Sequence, residues 1–172
     1  MRRRDLLILG GVGALAAAAG ALLGPIMSQS QAGAADLGLA TYPDLSGVAR
    51  RISDLNASVL VCNFWATWCE PCREEVPLLV KIRQKYAANG VEIVGIGIDH
   101  AAKMRQFAME FKIPYPLLVG GPAATGLMRK LGNDAGALPF TVVRDRAGRI
   151  GYRHLGLLKE RGLAGAIEAM LR

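Results

Sequence analysis

"VCNFWATWCEPCREEVP", residues 61–77, places two of the chain's three cysteines three positions apart, after an apolar run and before a charged one. Val59 to Trp65 is rich in branched and aromatic residues, polar only at Asn63, and too short for a helix, so it reads as a buried strand. The residues from Glu70 onward carry Val76, Leu79, Val80, Ile82 and Tyr86 with charges between them and close at Asn89-Gly90. That is an amphipathic helix over residues 70–88 ended by a glycine stop. Ala66-Thr67-Trp68 is left as a short connection, which puts Cys69 at the helix N-terminus and Cys72 one turn inside on the same face.

A thiolate at a helix start is stabilised by unpaired N–H groups and by the positive end of the helix dipole. Its pKa is expected in the range of about 3.5 to 7.5, against about 8.5 for a free cysteine. Pro71 fits the first turn, where no intrahelical donor is needed. Glu75 follows Cys72 by one turn, so its carboxylate can approach the inner thiol, directly or through a water, and a carboxylate with a raised pKa can accept the proton that Cys72 must lose. The plainer reading makes Glu74 and Glu75 a solvated acidic stretch that the helix start favours. Pro77, inside the same run, is expected to kink it.

Other uses of the pair fail on spacing. A zinc site needs a second pair of ligands, whereas Cys62, His100 and His154 stand alone in the sequence. Covalent haem attachment needs a histidine after the second cysteine, where position 73 is arginine. Cys62 reads as a small core residue, and neither histidine is assigned to catalysis. Farther along, Leu138-Pro139 precedes the strand-like Phe140-Thr141-Val142-Val143. A proline there suits a cis peptide bond that exposes the backbone of Leu138.

Outward from this centre the chain alternates. Residues 91–98 read as a second buried strand, 101–112 as a helix, 117–119 as a short strand and 123–131 as a short helix. Residues 140–144 and 149–154 read as strands joined by Asp145-Arg146-Ala147-Gly148, a hairpin signal, and 159–171 as a final amphipathic helix. Residues 36–57 read as a lead-in strand and loop. Strand and helix alternating first, with an antiparallel hairpin later, argue an α/β fold with a mixed sheet covered by helices.

The first 35 residues stand apart. Arg2, Arg3 and Arg4 precede an uncharged stretch, residues 6–27, and Ala32-Gly33-Ala34 has the small-x-small form that signal peptidases cut. Arg3-Arg4-Asp5-Leu6-Leu7 fits a twin-arginine export pattern. As a helix the uncharged stretch would reach roughly 33 Å, enough to stay in a membrane as an anchor. The expected division is an export signal or membrane anchor over 1–35 and one globular domain over 36–172. Outside the cytoplasm a cysteine pair is a structural staple or a working redox couple. The net charge of +7 falls to +5 once the segment's three arginines and Asp5 are set aside. The remaining basic residues are scattered without interleaved aromatics, which disfavours a nucleic acid partner.

"FWATWCEPCREEVP" together with "LPFTVVRDRAGRI" resembles the thioredoxin superfamily, specifically the exported TlpA/ResA-like thiol-disulfide oxidoreductases. The resemblance implies a thioredoxin fold whose TlpA-like insertion between strand and helix covers residues 99–120. It implies a redox-active disulfide between Cys69, the attacking cysteine, and Cys72, the resolving one, with Glu75 as the active-site glutamate and Pro139 as a cis-proline facing the sulfurs. Trp68 and Leu138 would touch substrate; Leu138 is large for the position before that proline. No cofactor or metal is implied. Partners would be exported proteins bearing cysteines, such as apocytochrome c or metal-site thiols, and a membrane thiol donor of the DsbD/CcdA type, at the periplasmic or extracytoplasmic face of the inner membrane. The same residues could run as a disulfide oxidase or isomerase, or hold Cu(I) in a binding module; a thiol peroxidase would set its cysteine in a different local pattern.

Overall fold

The computed structural model of the chain describes residues 33–172. The expected signal or anchor therefore lies outside the described residues except for its last three. Those belong to a helical segment, α1 (residues 33–39), where the sequence reading had only a lead-in strand and loop. Leu37 is fully buried, and a Cβ on Gly33 would lie 2.5 Å from the Lys130 carbonyl oxygen. The described residues of this helix are therefore held by packing against the rest of the chain. Two short antiparallel strands follow, β1 (Thr41–Pro43) and β2 (Ala49–Arg51). Asp44 closes their turn by accepting from the backbone N–H groups of Ser46 and Val48.

The main sheet has the order β5-β4-β3-β6-β7. Its strands are β3 (Val59–Trp65), β4 (Val91–Gly97), β5 (Leu117–Val119), β6 (Phe140–Asp145) and β7 (Ile150–Leu155). The first three run parallel, and the β6–β7 hairpin joins antiparallel to β3. Between them lie α2 (Glu70–Tyr86), α3 (Ala101–Glu110), α4 (Gly121–Lys130) and, last, α5 (Glu160–Met170). The insertion expected over 99–120 builds α3 and the edge strand β5. The glycine stop is in place: Gly90 has φ +77 and ends a 3-10 turn that continues α2.

The central strand is apolar except at Asn63 because it is covered on both faces. Val59, Val61 and Trp65 join one core with Val76, Leu79 and Ile82 of α2 and Leu163 and Ile167 of α5. Leu60, Cys62 and Phe64 join the other with Leu37 of α1 and Leu127 and Met128 of α4. The helix α2 runs through Pro77 to Tyr86. On β4, the Leu117 side chain and the Trp65 indole occupy the space where a Cβ on Gly95 would stand, at 2.5 and 2.9 Å. Gly95→Ala is expected to overpack this point and cost about 1–3 kcal/mol. Urea unfolding measures that loss, and an unchanged midpoint would mean that Leu117 and Trp65 yield freely.

Candidate active site

β3 delivers the chain to Trp65, and the loop that follows is pinned where the Thr67 hydroxyl bonds the Asp99 carboxylate beyond β4. Cys69 then stands at the N-cap of α2 in extended conformation (φ −91, ψ 106), with Glu70 and Pro71 opening the helix. Cys69 and Cys72 form a disulfide, with Cα atoms 5.3 Å apart. Both cysteines are buried, while Trp68 beside them is 68% exposed. The third cysteine, Cys62, is fully buried on β3, and burial pushes its thiol up to about 12. Such a thiol carries almost no thiolate near neutral pH.

Glu75 is the distinctive group. One turn along α2 from Cys72, it is only 1% exposed. The Asn63 side-chain amide donates to its Oε1 at 2.7 Å, and the Leu158 backbone N–H donates to its Oε2 at 3.3 Å. The same Asn63 amide nitrogen also donates to the Thr141 hydroxyl at 3.0 Å. Burial raises the Glu75 carboxyl from 4.5 to about 7, and the bonds from Asn63 and Leu158 oppose the rise without cancelling it. Burial and the nearby Glu75 charge also raise the Tyr115 hydroxyl. Glu74, in contrast, is exposed.

The Leu138–Pro139 peptide bond is cis. Phe140, the next residue, pairs with Phe64 on β3, so Pro139 lies at the same end of the sheet as the Cys69 loop. Leu138 is half-buried ahead of the ladder, and the Pro139 carbonyl accepts from the Gly156 N–H at 2.8 Å. Gly156 and Leu158 belong to the β7–α5 connection, whose backbone N–H groups thus bond both the Pro139 carbonyl and the Glu75 carboxyl group. The sequence reading did not include Asn63, Thr141, Tyr115 or Leu158 among the site residues. Asn63 alone carried a signal, as the one polar residue of an apolar strand.

Behind the cysteines, the Arg73 guanidinium lies over the rings of Phe107 and Phe111, at 5.6 and 5.1 Å from their centroids. This contact packs the start of α2 against the insertion. His100 caps α3, and the His154 ring meets the Leu157 carbonyl at 3.0 Å. Among the described residues no group of three or more His, Cys, Asp or Glu side chains gathers as a metal-ligand set.

Comparison with known proteins agrees with this geometry. The Redoxin family model matches residues 31–167. The thiol-disulfide oxidoreductase ResA of Bacillus cereus is 27% identical over 127 residues, covering 73% of this chain and 70% of that protein. The thiol:disulfide interchange protein HelX of Rhodobacter capsulatus is 35% identical over 119 residues, covering 67% of this chain and 62% of that one. In fold, the chain is similar to a secreted thiol-disulfide isomerase from Corynebacterium glutamicum, with a TM-score of 0.70 at 24% identity over 78% of this chain and 84% of that chain. Built around a Cys-x-x-Cys disulfide at a helix start, the chain belongs to the Redoxin family and is a TlpA/ResA-like thiol-disulfide oxidoreductase of the thioredoxin superfamily.

Proposed function

We propose that the protein works outside the cytoplasm as a reductase of protein disulfides, with exported cysteine-bearing proteins as substrates. The observation that carries this reading is the Glu75 carboxyl, buried one turn from Cys72 and raised to about 7. In the reduced enzyme the Cys69 thiolate attacks one sulfur of a substrate disulfide. That S–S bond breaks, a mixed disulfide with Cys69 forms, and the other substrate sulfur leaves as a thiolate. Glu75 takes the proton of the Cys72 thiol, and the Cys72 thiolate attacks the Cys69 sulfur. The substrate's second sulfur departs, and the enzyme holds the Cys69–Cys72 disulfide. Two electrons have passed to substrate, and a membrane thiol donor of the DsbD/CcdA type returns them.

Substrate backbone lies along Leu138 as an added strand, with Pro139 facing the sulfurs and Trp68 contributing an exposed apolar rim. Apocytochrome c thiols and the cysteines of metal sites are the substrates that the family likeness points to. The uncharged segment at residues 6–27 supports export, either as a removed signal or as an anchor.

Direction is set by the reduction potential of the Cys69/Cys72 couple. Equilibration of the protein in thiol redox buffers, followed by alkylation of free thiols, is expected to give a value near the reducing end of about −270 mV. A value near the oxidising end of about −120 mV would replace the reductase with a disulfide-forming enzyme. Failure to form a reversible disulfide would favour a Cu(I)-binding module.

A further inference from the structure

At the end of the sheet away from the disulfide lies an open cleft of about 850 Å³, bounded by α1 and by the β6–β7 hairpin. Asp145 on β6 pairs with Val59, the first residue of β3, while Cys69 follows the last. Seven strand residues at about 3.3 Å each separate the two places by roughly 20 Å. Ala35, Leu39 and Ile150 give the cleft apolar walls, and Arg144, Arg146 and Arg149 line it as well.

Arg144 is the unusual member. It alternates with Phe140 and Val142 along β6 and so faces the core beneath α1. It is only 7% exposed. Its Nη atoms reach two backbone carbonyls, Ile52 O at 3.2 Å and Asp145 O at 3.4 Å, and its Nε is buried without a partner. No carboxylate pairs with it among the described residues. A buried charge normally has an ion partner, because desolvating it alone costs several kcal/mol. Of its neighbours, Arg149 is neutralised by Asp145 at 2.7 Å, whereas Arg146 holds only the Ser58 hydroxyl at 3.4 Å. Ser53 on the cleft wall donates to the Asp54 carboxylate at 3.3 Å, and Asp36 of α1 pairs with Lys130 at 3.1 Å. Among the described residues neither Arg144, which is buried, nor Arg146, which is exposed, has a carboxylate within ion-pair distance, and both line the cleft beside its apolar walls.

We infer that this cleft binds the phosphate group of an anionic amphiphile, with Arg144 and Arg146 on the phosphate and the apolar part along Ala35, Leu39 and Ile150. Guanidinium groups suit phosphate because they present paired donors in a rigid plane. Two sources share this chemistry: an anionic phospholipid, which the anchor reading of residues 6–27 would bring near because residue 27 is only seven positions before Ala34, and a soluble phosphate compound.

The test is amide hydrogen exchange on the full chain in a neutral maltoside detergent, read on peptides covering residues 144–150. Inorganic phosphate is added in one arm, phosphatidylglycerol in the micelles in a second, and phosphatidylcholine in a third. Protection of the hairpin by phosphatidylglycerol well beyond that by phosphate, and none by phosphatidylcholine, assigns the site to anionic lipid. Equal protection by phosphate and phosphatidylglycerol assigns it to the soluble source. Arg146→Gln, on the exposed turn, is expected to weaken binding about tenfold, and Arg144→Met to weaken it further. Both variants should leave disulfide exchange at Cys69 unchanged. The inference is overturned if neither anion protects the hairpin, if phosphatidylcholine protects it equally, or if Arg146→Gln binds as the parent does.

Discussion

Cys72→Ser is expected to halt the enzyme midway, accumulating a covalent mixed disulfide between Cys69 and substrate while turnover falls on the order of 10³-fold or more. Cys69 stands at the N-cap, where the backbone N–H groups of the first turn of α2 stabilise a thiolate. Cys72 lies one turn inside the helix, bonded to Cys69; both cysteines are buried, Cys69 at 5% and Cys72 at 2% exposure, so the order of attack rests on the N-cap position of Cys69. Cys69→Ser should lose turnover to the same extent and trap nothing, because the remaining thiol sits inside α2 and lacks the N-cap position that favours a thiolate. Non-reducing mass spectrometry after incubation with a disulfide-bonded peptide separates the two variants. A trapped adduct on Cys72 in Cys69→Ser, with none on Cys69 in Cys72→Ser, would reverse the assigned order of attack.

The contrast between these cysteines was legible in the sequence because it is local. Strand, three-residue connection and helix start are contiguous, and Pro71 and the Gly90 stop frame the helix without help from distant residues. The hairpin at residues 145–148 was legible for the same reason, with Gly148 at φ +83 closing its turn. The surroundings of Glu75, the burial that raises its carboxyl and the bonds that oppose the rise, were not legible. Its partners come from positions 63 and 158, and Thr141 shares the Asn63 amide; only the sheet register brings these groups together. α1 was hidden by composition, since Gly33-Ala34-Ala35 continues the small-residue character of the preceding segment and the contacts that hold it, from Leu37 to the core and from Gly33 and Asp36 to Lys130, are made with distant residues. Arg144 was hidden by its charge: strand alternation puts it on the same face as Phe140 and Val142, but an arginine beside a turn reads as a solvated residue until the fold lays α1 over that face.

Oxidised protein carrying Glu75→Gln is expected to lose a pH dependence of stability that the parent shows between about pH 4.5 and 7. Folding raises the Glu75 carboxyl from 4.5 to about 7, so the folded state holds the proton more tightly than the unfolded chain. Below about pH 4.5 both states are protonated and the residue imposes no charge penalty. As pH rises from there, the unfolded chain ionises first and stability falls. Above about pH 7 both states are ionised, and the full cost of the buried carboxylate, about 3 kcal/mol, is present. Glutamine avoids that cost but sets an NH2 donor where the carboxyl group, protonated or not, has an oxygen facing Asn63 or Leu158, a loss of about 1 kcal/mol. At pH 8 the variant should therefore be more stable than the parent by about 2 kcal/mol, and at pH 4 less stable by about 1 kcal/mol. The difference between variant and parent is the quantity to follow, because Asp44 acts with the opposite sign: its turn hydrogen bonds hold its carboxyl well below the usual range, so its contribution is lost on acidification. Chemical denaturation of both oxidised proteins across this range measures the crossing directly. A constant difference from pH 4 to 8 would mean that Glu75 is not raised by folding, and the proton-acceptor role proposed for it would go with it. If the crossing is found, the same substitution should slow release of reduced substrate from the mixed disulfide, since the variant keeps Cys72 but has no carboxylate to take its proton.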